Sequence, residues 1–214
     1  MGLKGLKGLR GRLIFVVGPA GAGKTTIAKE LAKRLRAALL DMDMFARPAS
    51  ERIMTLAGLD PEDRDSDEYK KLCRDLGYRM TMNAALDQLE LGLDAIVVGP
   101  FTKETESAEW LEAELSRLGE RRSEVEVKAI YVILHDLELY RRRIEGRGLA
   151  ADEWKLRNWD SFSRSLAVRQ IKWKLPDDSV LYWDNADELD GERLSRLLEF
   201  VGNRHGSPPQ TDSM

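Results

Sequence analysis

Five short, mainly apolar runs punctuate the chain, and between them apolar residues return every three or four positions. The runs are Leu13–Val17, Ala37–Leu40, Asp94–Val98, Val125–Leu134 and Val180–Trp183. Such short apolar stretches suit strands covered on both faces, the usual state of a central parallel strand. In the fourth run Val125, Val127 and Ala129 alternate before the apolar stretch becomes continuous.

The intervening segments read as helices. Ile27, Leu31 and Leu35, with Ala28 and Ala32 beside them, make one apolar face and leave Lys29, Lys33, Arg34 and Arg36 to solvent. A long helix is expected from Tyr69 to Leu91, with Leu72, Leu76 and Met80 on one stripe, Leu86 and Leu89 further on, and Gly92 as its stop. Residues 105–118 carry Trp110, Leu111, Leu115 and Leu118 at amphipathic spacing, and Asp136 reads as the cap of a helix over Leu137–Ile144. Trp154, Trp159, Phe162 and Trp173 read as packing residues, and Leu194, Leu197, Leu198 and Val201 mark a last helix. Residues 45–67, punctuated by Pro48 and Pro61, read as irregular or short-helical, and no catalysis is assigned to their acidic octet 60–67.

Strands alternating with helices predict an α/β fold: a five-stranded parallel sheet with helices on both faces. At 214 residues and 43% hydrophobic, the chain suits one domain, placed at 12–202. The Gly-Leu-Lys repeat near the start reads as a flexible basic leader (1–11), and 203–214 as a frayed tail. The formal net charge of −3 provides no global basic field, so nucleic acid is not the expected partner. The single cysteine, Cys73, excludes an internal disulfide and reads as a small buried hydrophobe. No apolar run is long enough to cross a membrane, and the lysine-bearing start lacks the apolar core of a signal peptide. A cytoplasmic protein, monomeric or homodimeric, is expected.

The first run leads into Gly18-Pro-Ala-Gly-Ala-Gly-Lys-Thr-Thr26, and a helical pattern follows. Strand, glycine loop, then helix is the setting in which this motif holds phosphate. Gly18, Gly21 and Gly23, with Pro19, Ala20 and Ala22 between them, let backbone N–H groups close round phosphate oxygens. Lys24, Thr25 and Thr26 open a helix whose unpaired N–H groups and dipole favour an anion. Lys24 would reach the outer phosphates, and Thr25 would place its hydroxyl on magnesium.

Asp41-Met-Asp43 follows the second run, at the edge of an α/β sheet where ligands bind. Both carboxylates share a side if the extended geometry persists; the alternative is a helix cap and a surface acid. The turn Gly99–Lys103 is a candidate substrate wall or a plain loop, and His135 reads as structural. Arg141, Arg142, Arg143, Arg147 and Arg157 gather after the fourth run, where they could clamp a transferring phosphoryl group. Four-residue spacing puts Arg143 and Arg147 on one helix face, and Gly146 and Gly148 supply hinges for a lid at about 145–158.

On these residues the chain resembles the P-loop kinases that phosphorylate small molecules: shikimate kinase, gluconate kinase, chloramphenicol phosphotransferase and the kinase half of polynucleotide kinase. The resemblance covers about 12–202 in element order. It rests on the loop 18–26, the acid pair 41–43 and Arg143-Ile-Glu-Gly-Arg147-Gly148. It implies strand order 2-3-1-4-5, ATP with Mg2+, and an arginine lid. It also implies Asp43 as base at the acceptor hydroxyl, Asp41 beside Thr25 at the metal, and Arg143 and Arg147 as charge neutralisers. Asn185, in the turn Asp184–Asp187, would lie near the adenine. Arg47, Phe101 and Thr102 stand with Asp43 as candidate acceptor contacts, and the division of roles between Asp41 and Asp43 stays open. The third run ends in Gly99-Pro100 without a carboxylate, which fits kinases whose acid follows strand two.

The expected activity is therefore ATP-dependent transfer of the γ-phosphate to a hydroxyl of a metabolite or antibiotic-like alcohol. Phosphorylation of nucleosides or nucleic-acid ends is the enzymatic alternative. An ATP-binding switch or partner-binding protein is the alternative of another class.

Overall fold

The computed structural model describes residues 11–64, 66–148 and 152–203. Residues 1–10, 65, 149–151 and 204–214 lie outside the described residues, and with them all but one residue each of the expected leader 1–11 and tail 203–214 and the centre of the expected lid. Five parallel strands form one sheet in the order β2-β3-β1-β4-β5. They are β1 (Arg12–Val17), β2 (Ala38–Asp41), β3 (Ala95–Gly99), β4 (Glu126–Ile133) and β5 (Val180–Asp184). Fold class and strand order are those expected above.

Strand alternation divides the core. From β1, Leu13, Phe15 and Val17 enter one apolar cluster, whereas Ile14 and Val16 enter the other. One face is covered chiefly by α4 (Asp75–Glu90) and α6 (Trp110–Leu115). The other is covered by α1 (Lys24–Leu35), α7 (Leu137–Arg147) and α10 (Gly191–Gly202). Burial on both sides explains why the strands lack polar alternation. Arg12 forks onto the Asp94 carboxylate, joining the starts of β1 and β3.

Three local expectations change. Residues 42–56 form one continuous helix, α2 (Met42–Leu56), where irregular or short-helical structure was expected. Pro48 sits inside it. The carbonyl its missing N–H would have engaged belongs to Met44, four residues back on the exposed side, where water can serve it.

The long helix is entered through α3 (Asp67–Tyr69) and a π-helical turn, Lys70–Arg74. Leu72 and Leu76 are exposed, so the stripe they define is not the buried one. Cys73, Gly77, Tyr78, Thr81, Met82, Ala85, Leu86 and Leu89 face inward instead. Small residues serve that face because α2 lies close: a Cβ on Gly77 would meet the Ala46 Cβ at 3.0 Å. The segment 105–118 is likewise broken, into α5 (Thr102–Glu106), α6 and a 3-10 stretch, Ser116–Glu124. The stretch expected as a lid, about 145–158, contains α8 (Glu153–Arg157), and α9 (Trp159–Arg164) follows it. Trp159 and Phe162 pack against the second cluster, Trp173 lies in the first, and Trp154 is exposed.

Candidate active site

The phosphate loop is the turn between β1 and α1, and its shape follows from its glycines. Gly18, Gly21 and Gly23 all have positive φ. Two of them also permit close approach. A Cβ on Gly18 would come within 2.3 Å of the Val132 carbonyl, and one on Gly23 within 2.2 Å of Asn185 Nδ2. Asn185 donates to the Ala22 carbonyl at 2.9 Å, and the Tyr140 hydroxyl donates to the Ala20 carbonyl. The loop is thus braced by groups from the β5–α10 connection and from α7.

Lys24 folds back to donate to the Pro19 carbonyl at 2.8 Å. Burial lowers its ammonium from the ordinary 10.5 to about 8, opposed by the charges of Asp43 and Asp41 and reinforced by Arg147 and Lys155. A cation this poorly hydrated, beside a nest of amides, suits an incoming anion. Thr25 Oγ1 donates to Asp41 Oδ2 at 3.0 Å. Asp41 is the buried last residue of β2, and its other oxygen accepts from the Asp43 N–H at 3.1 Å. The expectation of an extended 41–43 segment is corrected: Asp41 caps α2, and Asp43 stands in the first helical turn. The cap uses one carboxylate oxygen of Asp41, and the contact with Thr25 uses the other.

Asp43 lies within electrostatic reach of Lys24, Lys155, Arg64, Tyr69 and Tyr78. Burial, and then the Asp41 charge, push its carboxyl up from the ordinary range. Its side chain still meets solvent, which screens the rise. Arg64, stacked over the Tyr69 ring, and the pair Asp152–Lys155 at the entry to α8 were not singled out in the sequence. Arg64 lies inside the acidic octet 60–67, which has no regular periodicity and to which no catalysis was assigned. Lys155 lies beyond a helix break, where spacing from Arg147 predicts no common face.

Other candidates are placed differently from expectation. Arg143 donates to the Asn185 and Ala186 carbonyls at 2.7 and 3.0 Å, so its guanidinium is committed to the loop after β5. Arg147 instead meets Asp152 at 2.8 Å. The two arginines leave one helix face for different elements, because a long side chain spans more than the spacing of the turns beneath it. Phe101 is fully buried, edge-on to Phe15, Tyr78 and Trp110, and forms no substrate wall. Thr102 beside it is half-buried at the start of α5. Arg47 is exposed on α2 and paired with Glu51 and Glu62. Asn185 reaches the phosphate loop directly, as a brace.

Magnesium fits this donor set. No group of three or more His, Cys, Asp or Glu side chains suited to a metal occurs among the described residues. Mg2+ takes one or two carboxylates together with phosphate oxygens and water, so Asp41 and Thr25 match its habit better than a protein cage would.

A family model described as an AAA domain matches residues 13–168. No curated protein matches in sequence. Among solved structures, an unliganded sugar kinase from Janibacter sp. HTCC2649 is similar, at 18% identity and a TM-score of 0.57, with 90% of this chain and 95% of that one covered. A shikimate kinase from Bacteroides thetaiotaomicron aligns at 16% identity, TM-score 0.55, over 90% and 99% of the two chains. The APS kinase of Mycobacterium tuberculosis, in complex with AMPPNP and APS, aligns at 17% identity, TM-score 0.50, over 91% and 99%. At these identities the likeness establishes a shared fold.

Proposed function

The chain belongs to the AAA domain family, and on that footing we propose that it is an ATP-dependent kinase of a small molecule bearing a hydroxyl group. One observation carries the reading. Lys24, at the phosphate loop, and Asp43, after a different strand, lie close enough for each charge to bear on the other, with Asp41 between the acid and Thr25. A phosphate cradle facing a carboxylate of raised pKa is the layout phosphoryl transfer asks for.

In this reading the loop amides and Lys24 hold the ATP phosphates. Asp41 and Thr25 would hold magnesium, which would supply positive charge against that developing on the phosphates. Asp43 orients the acceptor hydroxyl and receives its proton as oxygen attacks the terminal phosphorus. The bond to the bridging oxygen breaks, and ADP departs. Arg147 adds charge from the lid side, and Arg143 shapes the wall beside the base through the 185–186 carbonyls. Water, the competing acceptor, is kept out as the lid closes.

The test is ADP release from ATP and Mg2+, followed across a panel of sugars, polyol acids and hydroxylated antibiotics. Stimulation by one acceptor class, lost in Asp43→Asn, supports the reading. ATP turnover indifferent to every acceptor and to Asp43→Asn would count against it. No helix among the described residues is long and apolar enough to cross a membrane.

A further inference from the structure

Two carbonyls of the phosphate loop are held from behind by side chains from the far half of the chain. The Tyr140 hydroxyl, on α7, donates to the Ala20 carbonyl. The Asn185 side-chain amide, after β5, donates to the Ala22 carbonyl at 2.9 Å. Neither donor has slack. Tyr140 is fully buried, and a Cβ on Gly21 would come within 2.9 Å of its ring. Burial also raises the Tyr140 hydroxyl above its ordinary range, so it stays protonated and able to donate. Asn185 is 8% exposed, and a Cβ on Gly23 would come within 2.2 Å of its nitrogen. Arg143, one turn beyond Tyr140 on α7, donates to the carbonyls of Asn185 and Ala186. It thereby fixes the connection that carries the Asn185 side chain.

Peptide geometry carries these two contacts through to the phosphate side. There is no cis peptide bond among the described residues, and in a trans peptide the C=O and the following N–H point in opposite directions. The Ala20 carbonyl shares its plane with the Gly21 N–H, and the Ala22 carbonyl with the Gly23 N–H. Drawing the carbonyls toward α7 and the connection after β5 therefore turns the amides of Gly21 and Gly23 to the opposite side. The backbone has the alternation that such a nest requires: φ is 90° at Gly21 and 96° at Gly23, and not positive at Ala22 between them. Ala22 is fully buried, so water does not replace Asn185 at its carbonyl. A carbonyl released from its partner frees the peptide plane to rotate, and the amide rotates with it.

We infer that Tyr140 and Asn185 are positioning residues for nucleotide binding: acting through the backbone, with α7 as common anchor, they aim the amides of Gly21 and Gly23 at the phosphates. A loop aimed before the nucleotide arrives has less to reorganise on binding, so its donors hold the anion more tightly. The inference rests on the nucleotide-binding part of the proposed function and needs no acceptor.

The experiment measures ADP affinity with Mg2+ by calorimetry on the full chain, and follows the amide proton resonances of Gly21 and Gly23, well below each variant's melting temperature. Tyr140→Phe removes one oxygen and keeps the ring, and Asn185→Ala removes the side-chain amide. Each should weaken ADP about fivefold, the net worth of one hydrogen bond. In the wild type, binding should displace both glycine amide resonances downfield. Tyr140→Phe should diminish the displacement at Gly21 and spare Gly23, and Asn185→Ala should do the reverse. Residues that only stabilise the fold would lower the melting temperature and move neither readout. Wild-type ADP affinity in Tyr140→Phe, or an equal change at both glycines in either variant, would overturn the inference. Tyr140→Phe alone decides the matter should Asn185→Ala fail to fold. A wild-type chain that binds no ADP would bring down the proposed function and this inference together, whereas variants that bind as the wild type does bring down the inference alone.

Discussion

Thr25 and Asp41, sixteen residues apart and on opposite sides of a strand–helix unit, share a hydrogen bond of 3.0 Å, and Asp41 uses its second oxygen to cap α2. One side chain thus serves the helix and the proposed metal at once, and substitution can separate the two. Asp41→Asn keeps a capping oxygen and should cost little stability, while ATP turnover drops by about two orders of magnitude. Asp41→Ala should lose the cap as well, lowering stability by about 1 kcal/mol. Thermal denaturation beside a coupled ADP assay checks both, and equal melting temperatures for the two variants would refute the capping role.

Lys24 predicts a pH dependence. Below about pH 8 its amine is protonated in folded and unfolded chains alike. Between about 8 and 10.5 the folded chain has released the proton while the unfolded chain retains it. The unfolded state then binds more protons, so this group adds stability as pH rises through that window. Bound phosphates restore the ammonium, so nucleotide affinity should fall as pH climbs past about 8, and binding should take up a proton. Calorimetry at alkaline pH, in two buffers of different ionisation enthalpy, reads that uptake; identical apparent enthalpies would contradict it.

Asp43 sets the acidic side of the profile. Its carboxyl titrates above the ordinary 3.8, through burial and then the neighbouring Asp41. Turnover with the acceptor should therefore be lost, as pH falls, above that value. Asp43→Asn should reduce turnover by about 10²–10⁴ while leaving ATP affinity within about twofold. Retention of full turnover by Asp43→Asn would remove it from the reaction.

Phe101 separates packing from recognition. It is buried against Phe15, Tyr78 and Trp110, in a left-handed backbone conformation at φ 45°. Phe101→Ala should cost about 3–5 kcal/mol in urea unfolding. Phe101→Leu should cost less and leave acceptor KM unaltered. A selective rise in acceptor KM with Phe101→Leu would return the residue to the substrate wall.

The strands and the phosphate loop were legible because their signals are local. An apolar run needs no partner to be recognised, and the spacing of Gly18, Gly23, Lys24 and Thr25 is set within a single turn. Helix phase was harder. Leu72 and Leu76 advertise a stripe, yet the buried face runs through Cys73 and Gly77, and at Gly77 the close approach of α2 leaves no room for a larger side chain. Pro48 hid a helix in which the one carbonyl it leaves without an N–H partner, that of Met44, lies on the exposed side. Side-chain destinations were least legible. Arg143 and Arg147 share a helix face in sequence, but their partners at 185–186 and 152 are set by tertiary neighbours that no spacing encodes. Lys155 was hidden for the same reason.

The Asn185 bridge to Ala22 has a practical corollary for redesign. It fastens the connection after the last strand to the grip on the phosphates, with no clearance for a side chain at Gly23. Loop exchanges meant to retune base preference around 185–190 would therefore also loosen the hold on the triphosphate. Exchanges in α7 share the liability, since Tyr140 holds the Ala20 carbonyl and Arg143 the carbonyls of Asn185 and Ala186.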